Sequence, residues 1–336
     1  MNDKFYFFAS CMIVKGAAQS VVYDLQRKSY EYIPNVLYDI LIEYNGKTIQ
    51  NIVDDYGEEN KEVIVEYFEY LSQNEFIFFS NFGEESFPKI DLTWHSPFQI
   101  STLIIDISTK TFPSLKKIYN EVEALGCGAI SFRFLDVETY VLHFEEAMRI
   151  FGKSRCRSFE LFLPFDASKN VEYFNQLTIK NNRIYSIHIY DANERKVEIL
   201  DEIKTPLFYH SETLEANSPH VSNSSNFLVN KDMFMESQHH NTFFNRKIYI
   251  NEAGEIKNAP NCEEVFGQVD QDALESILKE EGFQKYWNIN KDTIAVCKDC
   301  EHRYMCMSDR KPLKKVNELW QLEGKCAYNP YEAEWA

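Results

Sequence analysis

Cys297-Lys-Asp-Cys300-Glu-His-Arg-Tyr-Met-Cys306 is the stretch from which the rest of this 336-residue chain is read, and Cys326 completes it in the pattern C-x2-C-x5-C-x19-C. Two cysteines separated by two residues can aim both sulfurs at one centre. A turn brings in the third, and a longer loop returns the fourth. Cys297, Cys300, Cys306 and Cys326 are therefore expected to hold either one zinc ion or one [4Fe–4S] cluster. Sulfur ligation suits both, so spacing does not choose between them. The plain alternative is a set of reduced thiols without a ligand. Disulfides do not suit a chain with no sign of export.

The totals bound the partners. Apolar residues make up 44% and charged ones 26%, an ordinary globular balance. The formal charge of −17 opposes nucleic-acid binding, because Lys311, Lys314 and Lys315 form only a short basic patch. No apolar run reaches the length of a membrane span, and no basic segment followed by an apolar one opens the chain. A cytoplasmic protein of two or three domains is expected, with no membrane partner.

The first eighty residues read as short strands over 5–14, 21–24 and 29–33, then three helical patterns. Val36, Leu37, Ile40 and Leu41 share one face; Ile49, Ile52 and Val53 a second; Val63, Ile64, Tyr67, Phe68 and Leu71 a third. Phe76 to Phe79 returns as a strand. This is a winged-helix order, but Glu58, Glu59, Glu62, Glu66 and Glu69 make the third helix a poor reader of DNA. The order resembles the precursor-peptide recognition element of peptide-modifying enzymes. That resemblance implies that a leader peptide adds a strand beside Tyr30 and Tyr32 and packs on the helix bearing Tyr67 and Tyr70.

From Leu103 strands and helices alternate. Strands are expected over 103–105, 130–135, 159–165 and 184–190, and helices over 112–125, 138–151 and 169–179. Repeated βα units imply a parallel sheet, open or barrel-like. The order resembles a radical-SAM barrel, but the loop after the first strand reads Asp106-Ile107-Ser108-Thr109-Lys110 where that family carries three cysteines. The barrel thus reads as degenerate, and binding of S-adenosylmethionine is not expected. Cys127 and Cys156, isolated in sequence, read as core residues.

A polar segment at 211–228 reads as a surface loop, and Lys247–Ile250 with Glu255–Lys257 as a β-hairpin turned at Asn251-Glu252-Ala253-Gly254. A short amphipathic helix through Leu274, Ile277 and Leu278 leads to the cysteines. His-His-Asn at 239–241, Asn-Arg-Lys at 245–247, Gly-Glu-Ile-Lys-Asn-Ala-Pro at 254–260, Cys-Lys-Asp-Cys at 297–300 and Cys-Ala-Tyr-Asn-Pro-Tyr at 326–331 together resemble the SPASM domain. The combination is similar to the SPASM-domain peptide maturases of grasp-with-spasm systems. SPASM domains usually hold two clusters. Here Arg310 stands where a fourth cysteine is expected after the third, and the cysteines flanking the hairpin are missing. All three losses fall on one cluster, leaving one site. Cys262 reads as a free structural thiol rather than a fifth ligand, and His240 as a hydrogen-bonded residue rather than a ligand.

The fold expected is thus α/β plus α+β in three parts: a winged-helix-like peptide-recognition domain at 1–93, a partial βα barrel at 94–235, and a cysteine-rich SPASM-like module at 236–336. The resemblance implies a protein that binds a precursor peptide and works beside an ATP-grasp ligase. The alternative is an iron–sulfur redox or radical enzyme using the C-terminal cluster. No catalytic residue stands out.

Overall fold

The computed structural model describes residues 3–135, 140–200, 204–214 and 227–336. The expected surface loop at 211–228 and the start of the helix expected from 138 lie largely outside these residues. The chain forms two compact units that interleave along the sequence: Met1–Trp94 with Val221–Thr242 and Ile289–Ala336, and His95–His220 with Phe243–Asn288.

The first unit opens with strands β1 (Lys4–Phe7), β2 (Cys11–Lys15), β3 (Gln19–Asp24) and β4 (Ser29–Pro34), helices α1 (Asn35–Glu43), α2 (Ile49–Tyr56) and α3 (Lys61–Gln73), and strand β5 (Ile77–Ser80). The apolar run at 5–14, read as one strand, is two. β1 pairs with β5, while β2 pairs with β3 in a separate sheet of order β2-β3-β4. Thr48 caps α2 by a reciprocal side-chain–backbone exchange with Asn51. Gly57, at φ 95, turns the chain out of that helix. Alternation along the strands gives the three-stranded sheet two apolar faces. Cys11, Val22 and Ile33 pack with the three helices. Val14, Val21 and Tyr23 pack with Val229, Phe234 and Met305, so the cysteine segment lies on the face opposite the helices.

The second unit runs β6 (Ile100–Ile107), α4 (Leu115–Leu125), β7 (Cys127–Phe134), α5 (Tyr140–Phe151), β8 (Ser158–Pro164), α6 (Val171–Lys180), β9 (Ile184–Tyr190), β10 (Lys196–Ile199) and β11 (Pro206–Tyr209). Helix α7 (Lys231–Ser237) belongs to the first unit; β12 (Lys247–Ile250), β13 (Glu255–Lys257), β14 (Gly267–Gln268) and α8 (Leu274–Leu278) return to the second. One nine-stranded sheet of order β10-β11-β9-β8-β7-β6-β12-β13-β14 results. Its central strands are parallel, as the βα repeats require. The hairpin joins this sheet through β12 beside β6, whereas the four cysteines lie in the first unit. Leu103, Ile105, Ile130, Phe132, Phe159 and Leu161 pack with Ile118, Val122, Phe144 and Phe174 of the helices. By the two-residue period of a strand, the intervening side chains occupy the opposite face. Hairpins β15 (Pro312–Val316) with β16 (Leu319–Leu322) and β17 (Tyr328–Asn329) with β18 (Glu334–Trp335) end the chain.

Candidate metal centre

The cysteine segment is fixed before any ligand is considered. Residues Cys297–Asp299 form a 3-10 turn whose amide from Cys300 reaches Cys297 O at 3.0 Å. Val296, just ahead of it, has φ 67, a left-handed conformation that a β-branched residue rarely adopts. The three-stranded sheet clamps the turn. Ala17 N donates to Asp299 O at 2.8 Å, the buried Tyr23 hydroxyl to Glu301 O at 2.6 Å, and Arg303 to Lys15 O at 2.7 Å. These contacts oppose relaxation of Val296.

Cys297, Cys300, Cys306 and Cys326 all line one cavity of about 50 Å³ in this unit, together with Lys291, His302, Arg310, Tyr328 and Trp335. Folding thus brings the four expected sulfurs to one place. Burial raises the Cys297 thiol pKa, Lys291 and Arg310 lower it, and Cys306 and Cys326 raise it again. Burial and the Glu301 charge push Cys300 well up. Thiols so placed need a compensating cation to ionise, which a metal centre supplies. Four thiolates around Zn²⁺, or around a [4Fe–4S]²⁺ core, carry a net charge of about −2. Arg310 and Lys291 face that charge: Arg310 Nη2 lies 4.0 Å from Cys297 Sγ, and the buried Lys291 donates to Cys306 O at 2.7 Å. The donor set and its counter-charges fit a thiolate-held centre.

Among the described residues, one set of three metal-type donors lies within 4.8 Å of one another, those of Cys300, Glu301 and His302. Four thiolates suit zinc and an iron–sulfur core alike.

Glu301 and His302 were not singled out from the sequence, although both lie inside the opening stretch. Glu301 is wholly buried; Gln19 Nε2 donates to its Oε1 at 2.9 Å and the Tyr328 hydroxyl donates there too. His302 Nε2 lies 2.8 Å from the Tyr32 hydroxyl, and burial lowers the imidazole pKa to about 4. Phe227, Tyr328 and Trp335 ring it. A histidine within a C-x2-C-x5-C run was the available signal. Only the fold shows it turned inward.

The remaining expected residues are placed as follows. Tyr30 and Tyr32 point to the cysteine-segment side of β4, with Tyr30 against Phe227. Tyr67 and Tyr70 are exposed on α3, in line with exposed Val63. Burial and a hydrogen bond to Glu31 of β4 raise the Tyr70 hydroxyl. The four tyrosines thus divide between two faces, because Tyr30 and Tyr32 alternate with Glu31 along the strand. The His240 ring packs at 4.7 Å on Trp94. Cys262 is buried with Phe243, Phe244 and Ala259 in the second unit. Cys127 and Cys156 are core residues, as expected, and belong to one apolar cluster, with the Cys127 thiol donating to Ala129 O at 3.2 Å. The larger cavity of about 310 Å³ lies in the second unit, between Phe98, Arg246, Leu278 and Trp287, with none of the expected residues on its wall.

No protein-family model matches the chain, and no curated protein does. Two solved structures are similar over 90% of this chain and 94% of theirs. Both are SuiB of Streptococcus suis, one bound to S-adenosylmethionine (12% identity, TM-score 0.33) and one bound to its precursor peptide SuiA (9% identity, TM-score 0.30). Likeness at this level carries no functional argument. Among the described residues, no helix is long and apolar enough to cross a membrane.

Proposed function

We propose that this protein binds the precursor of a ribosomally made peptide and presents it to an ATP-grasp ligase, with one metal centre held by Cys297, Cys300, Cys306 and Cys326. The observation that carries the reading is an open strand edge beside an unburied apolar stripe. Among the described residues β4 pairs only with β3, leaving its outer backbone groups available to an added strand. Val63, Tyr67 and Tyr70 sit at i, i+4 and i+7 on α3, 52%, 37% and 43% exposed, and Tyr70 reaches Glu31 of that strand. A helix normally buries such a stripe. The occupant would be an extended segment pairing with β4 and resting apolar side chains on the tyrosines. Tyr30 and Tyr32 would contribute backbone to this pairing, their side chains being engaged on the other face.

The thiolate centre braces the same unit. Either zinc or a [4Fe–4S] cluster, when bound, would hold the loops together, and a cluster could also carry an electron. In this reading the peptide bond or ester is closed by the partner ligase using ATP. S-adenosylmethionine has no part in it, because the loop after β6 offers no cysteine.

The test is direct. A candidate precursor peptide with its leader segment, fluorescently labelled, should bind the full chain, and replacing Tyr67 and Tyr70 together by alanine should weaken binding at least about tenfold, the value of one to two buried aromatic contacts. Both residues are exposed, so the fold should survive. Unchanged affinity in that variant would refute the groove, and absence of ligase in pull-downs with the loaded complex would refute the partnership.

A further inference from the structure

The face of the parallel sheet turned away from helices α4, α5 and α6 is not apolar. It carries Glu160 in the amino-terminal half of β8, His188 toward the carboxyl end of β9 and His210, one residue beyond β11, so the row runs toward the strand ends where open α/β sheets bind ligands. Glu160 is held from both sides: Ser131 Oγ donates to its Oε2 at 2.8 Å and Ser186 Oγ to its Oε1 at 3.1 Å. That same Oε1 lies 3.3 Å from His188 Nε2, and His188 Nδ1 lies 3.1 Å from His210 Nε2. Strand register produces the row, since Phe162 and Phe208 flank His188 on the neighbouring strands. Both rings stack on the imidazole at 4.7 Å, and Tyr190 stacks on His210 at 4.5 Å.

These contacts fix where the protons sit. An ionised carboxylate only accepts, so His188 carries its proton on Nε2 and offers a lone pair at Nδ1. His210 must then donate from Nε2, which leaves its Nδ1 unprotonated. We propose that Glu160, His188 and His210 form a proton relay that makes His210 Nδ1 a general base for a neutral nucleophile, a hydroxyl or thiol, delivered to the carboxyl end of this sheet. In the step, the nucleophile's proton passes to His210 Nδ1. The Nε2 proton of His210 passes to His188 Nδ1, the Nε2 proton of His188 passes to Glu160, and the nucleophile keeps the electron pair. No oxidant or metal takes part. The groups facing His210 are His188, Tyr190, Glu212 and Arg195. Burial and His188 lower the His210 pKa, so the ring is neutral and competent at pH 7. The inference goes beyond the peptide-presenting role: it gives the chain a proton-transfer step of its own, and stands or falls apart from the metal centre and the α3 groove.

The probe is diethyl pyrocarbonate, which acylates neutral imidazole nitrogen, applied to the full chain with the modified peptides mapped by mass spectrometry. His210 should react and His188, engaged at both nitrogens, should not. His188→Phe, which keeps the ring stack, and Glu160→Gln should each slow His210 acylation several-fold. An unreactive His210 in the parent, or a rate unchanged in both variants, would overturn the relay. If His188→Phe does not fold, nitrogen NMR of the parent decides: a protonated Nδ1 on His210 refutes the proposal, and a bare one supports it.

Discussion

The Tyr32 hydroxyl meets His302 Nε2 at 2.8 Å, tying the strand that offers the open edge to the segment that carries the cysteines. His302 is 1% exposed, and among the described residues its Nδ1 has no hydrogen-bond partner. Tyr32→Phe would leave both ring nitrogens buried and unpaired. The expected loss is about 1–3 kcal/mol, the desolvation cost of an orphaned buried polar atom. A lower urea midpoint at unchanged slope would show it; an unaltered midpoint would mean the hydrogen bond contributes nothing net.

Gly16 leaves no room for a side chain. A Cβ there would stand 2.5 Å from Gln19 O and 2.6 Å from Glu301 Oε2. Gly16→Ala should therefore push the wing strands off the cysteine turn and destabilise the unit by roughly 1–3 kcal/mol, as overpacking does. Thermal melting of the variant beside the parent reads this directly, and an equal or higher melting temperature would contradict it.

Cys300→Ser should remove one of four thiolates and leave a site that does not close. Iron, zinc and acid-labile sulfide are measured per chain after anaerobic purification. We expect one centre per chain in the parent, zinc or iron with sulfide, and a fall to a small fraction in the variant, with faster proteolysis around residues 290–330. Stoichiometric zinc without sulfide in the parent would reject the cluster and keep the four-thiolate site. Truncating the segment from β1 to β5 is a poorer test, because Tyr23, Gln19 and Lys15 would be lost from the cysteine segment with it.

Asp106 gives a pH dependence of known sign. It is wholly buried, with Tyr249 Oη donating to its Oδ2 at 2.6 Å and the Arg133 guanidinium paired with it as an ion pair, Nε 3.1 Å from Oδ1. Burial raises its pKa to about 6, against the lowering by Arg133 and Tyr249. Between the unfolded value of 3.8 and about 6 the folded state binds the extra proton, so this group favours folding at low pH and the benefit is lost as pH rises to about 6. The difference amounts to about 3 kcal/mol across a shift from 3.8 to about 6. Asp106→Asn should flatten the urea midpoint against pH over that window. At neutral pH it should also lower stability, because Arg133 loses its buried counter-charge. A slope identical to the parent's would disprove the assignment.

The fold's elements were legible because their causes are local. The βα repeats from Leu103, the hairpin at Lys247–Lys257 and the stripe on α3 each follow from apolar periodicity and turn residues within a dozen positions. The cysteine spacing was legible for a similar reason, and the fold sets all four residues on one cavity. Tyr30 and Tyr32 show the limit. They were read as groove residues beside Tyr67 and Tyr70, yet their side chains leave the strand on its other face, and Glu31 meets α3 instead. Strand parity was visible in the sequence; which parity faces which partner was not.

The sequence by itself determined the βα repeats, the Lys247–Lys257 hairpin, the cysteine spacing and the lack of cysteine in the loop after β6, all properties of neighbouring residues. Only the tertiary structure decided that the hairpin joins the parallel sheet while the cysteines pack on the wing strands. Only it turned Glu301 and His302 inward, and only it aligned Glu160, His188 and His210. The reason is physical: those contacts join residues tens to hundreds of positions apart, and which pairs meet is settled by how whole apolar faces bury one another, a long-range outcome with no local signature.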